Sequence, residues 1–174
     1  MRPILTACAA LLMALSLPCE AEARRLEARI DRVESPVVAL EQVHVRVDWP
    51  ASAAQGTLRL EAAHVVAPDL GYRFRDVRWA CPLRRDGRGG WRCDGAVTGG
   101  DAGPLRLAID LAPTRTSLSL AQGASRIALR RDAATPDLTT LDLTRVPIAW
   151  AQSLLAQAWR DARLGAGTLD GSVR

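Results

Sequence analysis

Lysine is absent: all 23 basic residues of this 174-residue chain are arginine, set against 19 acidic residues. We read the absence as codon usage in a GC-rich genome and draw no mechanism from it. Histidine is nearly absent too, with two in the chain. That leaves little room for histidine-based catalysis or a histidine-rich metal site. Aromatics make up 4% of the residues. The arginines are scattered, with few aromatics between them to stack on bases, so the chain lacks a nucleic-acid footprint. No apolar run reaches the roughly 20 residues of a membrane-spanning helix.

Chemistry-bearing motifs are missing as well. Neither His44 nor His64 has Cys, Asp or Glu at metal-ligand spacing with a plausible partner. Ser119, Ser125 and Ser172 lack a nucleophile-elbow surround. The Gly-Gly pairs at 89–90 and 99–100 are loop tips, because no strand-glycine-helix order follows them. Nothing points to an enzyme. No catalytic residue, metal ligand or cofactor is expected.

What is present begins with an export signal. Arg2 supplies a positive start, and Ile4 to Leu17 form an apolar run of about fourteen residues. Ala21-Glu22-Ala23 fits a small-x-small cleavage site, so residues 1–23 read as a secretory signal peptide. An uncleaved anchor and a lipidated Cys8 are the alternatives. Cleavage leaves 151 residues with 22 arginines against 17 acidic residues, a net charge of +5. Of the four cysteines it leaves Cys81 and Cys93. An exported chain with two cysteines predicts one disulfide and an oxidising compartment, the periplasm.

Over 24–146 the dominant signal is alternation of period two. Val43, Val45, Val47 and Trp49 alternate with polar residues, as do Leu58 and Leu60, Leu105, Leu107 and Ile109, and Leu118 and Leu120. Tyr72 and Phe74 alternate with arginines, and Val77, Trp79 and Cys81 continue the pattern one residue later. Turn residues such as Pro68-Asp69, Asp86-Gly87 and Gly99-Gly100 separate the runs. About nine strands with short connections predict an all-β antiparallel meander, apolar on one face. The repeated flanks Trp79-Ala80-Cys81 and Trp91-Arg92-Cys93 predict a hairpin centred on Gly87 with Cys81 facing Cys93. Pro82 predicts an edge position or a bulge there.

Residues 147–164 break the alternation. Pro147 suits a first helical turn, and Ile148, Ala151, Leu154, Leu155, Ala158 and Trp159 share one face at i, i+3, i+4 spacing. The prediction is one amphipathic helix, followed by the start of a further strand over 165–174. A helix of about fifteen residues spans roughly 22 Å, a third of such a sheet's face. The rest of that face curls into a groove, packs as an open sandwich, pairs with a second chain, or meets lipid. The five tryptophans are core plugs or a ligand cage.

One block carries a family resemblance. Leu141, Leu143, Val146, Pro147, Ile148, Trp150, Leu154, Leu155, Gly165, Gly167, Leu169 and Gly171 stand in the order Leu-x-Leu-x-x-Val-Pro-Ile-x-Trp, Leu-Leu, Gly-x-Gly-x-Leu-x-Gly. This resembles the repeat unit of AsmA-like envelope proteins, particularly the YdbH-type intermembrane phospholipid-transport proteins. It is also similar to the N-component of type II secretion systems. The resemblance implies a periplasmic β-groove that guides phospholipid, with no catalytic motif to carry over. Bridging members are several times longer, so a fragment, an adaptor or one piece of an assembly is expected. The expected partners are phospholipid or a membrane surface, and a longer envelope β-groove protein or a homo-oligomer. The competing expectation is a structural component of an envelope or secretion complex that docks by β-strand addition.

Overall fold

The computed structural model of this chain describes residues 24–35, 38–51, 53–68, 72–100, 103–151 and 165–174. The signal expected at 1–23 lies outside them. The described residues form ten strands: β1 (Arg24–Glu34), β2 (Ala39–Trp49), β3 (Gln55–Ala67), β4 (Tyr72–Arg85), β5 (Trp91–Thr98), β6 (Leu105–Ala112), β7 (Arg115–Gln122), β8 (Ser125–Asp132), β9 (Thr139–Pro147) and β10 (Thr168–Val173). They make one sheet in sequence order, every neighbour antiparallel, with free edges at β1 and β10. It is a meander that does not close into a barrel. Alternation explains this directly, because each strand has one apolar and one polar side and each short turn returns the chain beside itself.

Over β1 to β4 the alternation slips once, at one level. The ladder skips Asp31, Gln42, Ala63 and Asp76, which lie in line across β1 to β4. Gln42 and Asp76 take left-handed backbone, with φ of 51° and 50°. Each apolar run resumes one residue out of phase: Ile30 to Val33, Val43 to Leu40, Ala62 to Val65, Val77 to Phe74. Burial in β4 follows the same slip, since Tyr72 and Phe74 are half-buried, as is Val77, and Trp79 is buried. The extra residue keeps the apolar set on one face past the kink.

Three expectations need correction. The hairpin joining β4 and β5 pairs Leu83 with Cys93, Trp79 with Val97 and Arg85 with Trp91. Its centre is therefore Arg88 rather than Gly87. Asp86 sets it: its Oδ1 accepts from the backbone N–H of Arg88 at 2.9 Å and of Gly90 at 2.7 Å, and its own N–H donates to the Gly90 carbonyl. Pro82 is on neither an edge nor a bulge. It sits inside β4, where the β4–β5 ladder is interrupted across Cys81–Pro82 without a change of register.

The start of the helix expected over 147–164 is the third correction. Pro147 is the last residue of β9 and pairs with Thr168, while Val146 pairs with Leu169. Ile148–Ala151 forms a single 3₁₀ turn, and the Ile148 N–H donates to the Gly167 carbonyl at 2.9 Å. Ladder bonds to β10 win over the local helical pattern at this point. Leu154, Leu155, Ala158 and Trp159, the remainder of the proposed helix face, lie outside the described residues.

Candidate functional site

The register collects the apolar residues into rows that cross the sheet. Val45, Leu60, Trp79, Val97 and Leu105 make one row, and Val47, Leu58 and Cys81 begin the next. Leu107, Leu120, Ile127 and Leu143 continue at the level of Gly95, and Cys93, Ile109, Leu118, Leu129, Leu141 and Val173 run to the β10 edge. Val43 lies beyond the first row, at the kink, and Trp49 and Trp91 lie at the opposite strand ends. All thirteen apolar-face residues expected from the sequence thus share one side of the sheet.

Packing on that face is uneven. Trp79, Cys81 and Cys93 form a buried cluster, with Leu58, Leu60, Leu83, Val97, Leu107 and Ile109 half-buried around it. The Cys81–Cys93 disulfide clamps it, with Cα atoms 5.5 Å apart. The bridge runs diagonally, because the register puts Gly95, not Cys93, across from Cys81. A side chain at 95 would run into the Ala80 carbonyl and lie 2.7 Å from Cys81 Cβ, so the diagonal needs glycine there. Away from the cluster the face is open. Leu26 is 64% exposed, Leu111 46%, Leu118 36% and Val173 61%. Among the described residues no large side chain is fully buried.

Aromatics stand at both ends of this aliphatic floor. At one end Trp49 lies over Gly56, where a Cβ would sit 2.5 Å from its ring, and meets Trp91 edge-on with centroids 5.5 Å apart. The Arg85 guanidinium covers Trp91 at 5.6 Å. At the other end Tyr72 and Phe74 stack at 5.8 Å, and the Tyr72 hydroxyl donates to the Trp150 carbonyl at 2.8 Å. In a flat sheet β4 and β9 would lie about 24 Å apart, five strand spacings. The hydrogen bond therefore requires the sheet to bend, bringing the start of β4 to the residues that follow β9. Sequence reading placed Tyr72 and Phe74 on a strand but missed this contact. Only the isolated tyrosine and phenylalanine of a chain poor in aromatics marked them out.

The opposite face is ionic. Arg25 bonds Asp48 at 2.6 Å, Glu27 takes His44 at 2.7 Å and Arg46 at 3.3 Å, and Arg92 bonds Asp110 at 2.6 Å. Arg106 reaches both carboxylate oxygens of Asp94. Arg92, Asp94, Asp110, Arg115, Arg126 and Arg130 wall a shallow groove of about 450 Å³ over Ala108 and Ser119. His44 is thus a partner of Glu27, and His64 lies 3.8 Å from Glu41. Among the described residues no three metal-ligating side chains gather.

These pairs predict an acid limit. The His44 hydrogen bond holds Glu27 below the usual carboxylate range, Arg25 does the same for Asp48, and Arg106 for Asp94. The backbone N–H groups of Gly90 and Arg88 lower Asp86. A lowered folded pKa gives stability that is present above the unfolded value of about 4 and is lost as pH falls through the folded one. Thermal melts should hold level from about pH 7 to about pH 5 and fall below about pH 4. Because the pairs are exposed, added salt should flatten that fall.

The disulfide fits an oxidising, extracellular or periplasmic environment. No helix among the described residues is long and apolar enough to cross a membrane. No family model, curated protein or solved structure matches the chain.

Proposed function

We propose that this chain is a non-enzymatic periplasmic protein whose bent sheet forms a groove for phospholipid acyl chains. The observation that carries the reading is the aliphatic floor, continuous from β1 to β10, with Leu26, Leu111, Leu118 and Val173 exposed on it. Soluble monomers rarely leave an apolar face of this extent to water. Strands of eight residues span about 27 Å at 3.4 Å each, longer than one leaflet of a roughly 30 Å hydrocarbon core. Aromatics at both ends suit the interfacial ends of a lipid, since a ring buries its body and keeps a polar tip wet. The AsmA-like block from Leu141 to Gly171 agrees with the same reading, in which the chain guides phospholipid between membranes as an adaptor or part of a longer groove. The free edges at β1 and β10 favour a second reading, an assembly component of an envelope or secretion complex held by strand addition.

Native mass spectrometry after gentle purification tests the groove. Diacyl phospholipid is expected on the protein, or acquired from vesicles. Leu118→Arg places a charge in the middle of the open floor, at an exposed position on β7. It should reduce bound lipid by about tenfold or more, because a charge among acyl chains is strongly disfavoured, while leaving the melting temperature within a few degrees. A protein that neither carries lipid nor takes it up from vesicles would sink the reading.

A further inference from the structure

We propose that β1 pairs antiparallel with β1 of a second copy of this chain, across a two-fold axis at Ala28. The two free edges differ. β10 is six residues long, its register to β9 shifts between Leu169 and Gly171, and its Asp170 accepts the Arg145 backbone N–H at 2.8 Å. That edge is short and bulged, the usual protection against further pairing. β1 is eleven residues long, runs without a break from Arg24 to Ile30 and contains neither proline nor glycine, and among the described residues its outer side has no neighbouring strand. Leu26 and Ile30 on it are exposed.

Charge makes β1 complementary to itself. Its polar side reads Arg25, Glu27, Arg29, Asp31, alternating in sign. Turned about Ala28, Arg25 faces Asp31 and Glu27 faces Arg29, twice each in the dimer. On the other side Leu26 faces Ile30 and Ala28 faces itself. Neighbouring registers fail. About Glu27, Glu27 meets itself and Arg25 meets Arg29. About Arg29, Glu27 meets Asp31 and Arg29 meets itself. Cross-strand opposite charges stabilise a sheet and like charges oppose it, so the register about Ala28 is favoured over those about Glu27 and Arg29. Beyond Asp31 the kink changes the phase of β1, so the pairing ends there and Arg32 stays with Glu34 and Glu41 of its own chain. A two-fold axis perpendicular to the sheet keeps both apolar faces on the same side. The pair is one continuous twenty-strand floor, and its formation does not depend on whether that floor holds lipid.

A charge swap tests the register. Asp31→Arg sets arginine against Arg25 twice in a homodimer, and Arg25→Asp sets aspartate against Asp31 twice. Both positions are exposed, and within its own chain Arg25 loses only the surface pair with Asp48. Sedimentation equilibrium should show a dimer for the wild type and, for each variant alone, a dissociation constant raised about tenfold or more. An equimolar mixture of the two variants should restore a one-to-one dimer near wild-type affinity, since every swapped pair is then opposite in sign. A monomeric wild type, assemblies growing past the dimer, variants that dimerise unchanged, or a mixture that fails to recover would each overturn the proposal.

Discussion

Trp79→Ala is expected to lower the unfolding free energy by about 3–5 kcal/mol, the largest effect of any single side chain in the sheet. Trp79 is 6% exposed and sits in the row from Val45 to Leu105, against the disulfide. Among the described residues few others are buried as deeply, so they offer no second layer of core to refill the space. A single domain has about 5–15 kcal/mol in total, so the variant should lose a large fraction of its stability. Urea unfolding followed by far-UV circular dichroism measures it. Two controls separate burial from ring chemistry. Trp91→Ala removes a 37% exposed ring whose contacts are Trp49 and Arg85, and should cost about 1 kcal/mol. Trp79→Phe keeps most of the buried area and also removes an indole N–H that has no partner in the core. Leaving such a donor buried costs about 1–3 kcal/mol, so this variant should fall much closer to wild type than the alanine. Equal losses for Trp79→Ala and Trp91→Ala would mean that the cluster around the disulfide is not the stable centre of the sheet.

Why that centre was only partly legible follows from particular residues. Strand pairing order and the apolar face came through clearly, because alternation is a local signal and short turns leave a meander as the simplest route. The one-residue slip between Phe74 and Val77 was visible as a phase change. Its cause was not, since glutamine usually avoids the left-handed backbone that Gln42 takes, and an aspartate such as Asp76 is common in many other conformations. The two cysteines announced a disulfide, but symmetry between the Trp-x-Cys flanks suggested the wrong register. The turn was decided by the Asp86 carboxylate and by Gly95, which lets the bridge cross diagonally. Pro147 and Ile148 fit a helix start by spacing, yet their ladder and backbone bonds go to Thr168 and Gly167. The Tyr72–Trp150 hydrogen bond joins residues 78 positions apart, and no local pattern reports a contact of that range. For the candidate site the same division holds: the floor was readable strand by strand and its curl was one of the expected outcomes, but the contact that draws β4 to the end of β9 was not.

Opening the disulfide should cost about 3 kcal/mol, the value expected from chain entropy for a loop of this size. Cys81→Ala with Cys93→Ala should lower the urea midpoint, and dithiothreitol added to the wild type should reproduce that fall. Steepening or flattening of the unfolding slope is expected to be small, unless the unfolded chain becomes less compact without its cross-link. Gly95→Ala probes the same bridge from the backbone side. Its methyl meets the Ala80 carbonyl and Cys81 Cβ, so β4 and β5 must separate before the sulfurs can meet on the diagonal. Free-thiol titration should therefore find Gly95→Ala slow to oxidise, whereas substitution at Gly87, where a Cβ meets nothing within 4 Å, should leave oxidation unchanged. The bridge and Trp79 share one cluster, so their losses should not add. Removing the clamp lets the strands relax around the cavity, and the triple variant should lose less than the two separate effects combined. Strict additivity would place the stabilisation by the bridge wholly in the unfolded chain. A shortfall would place part of it in the packing of Trp79 against Cys81 and Cys93, so that the chain reaches full stability only where the thiols are kept oxidised.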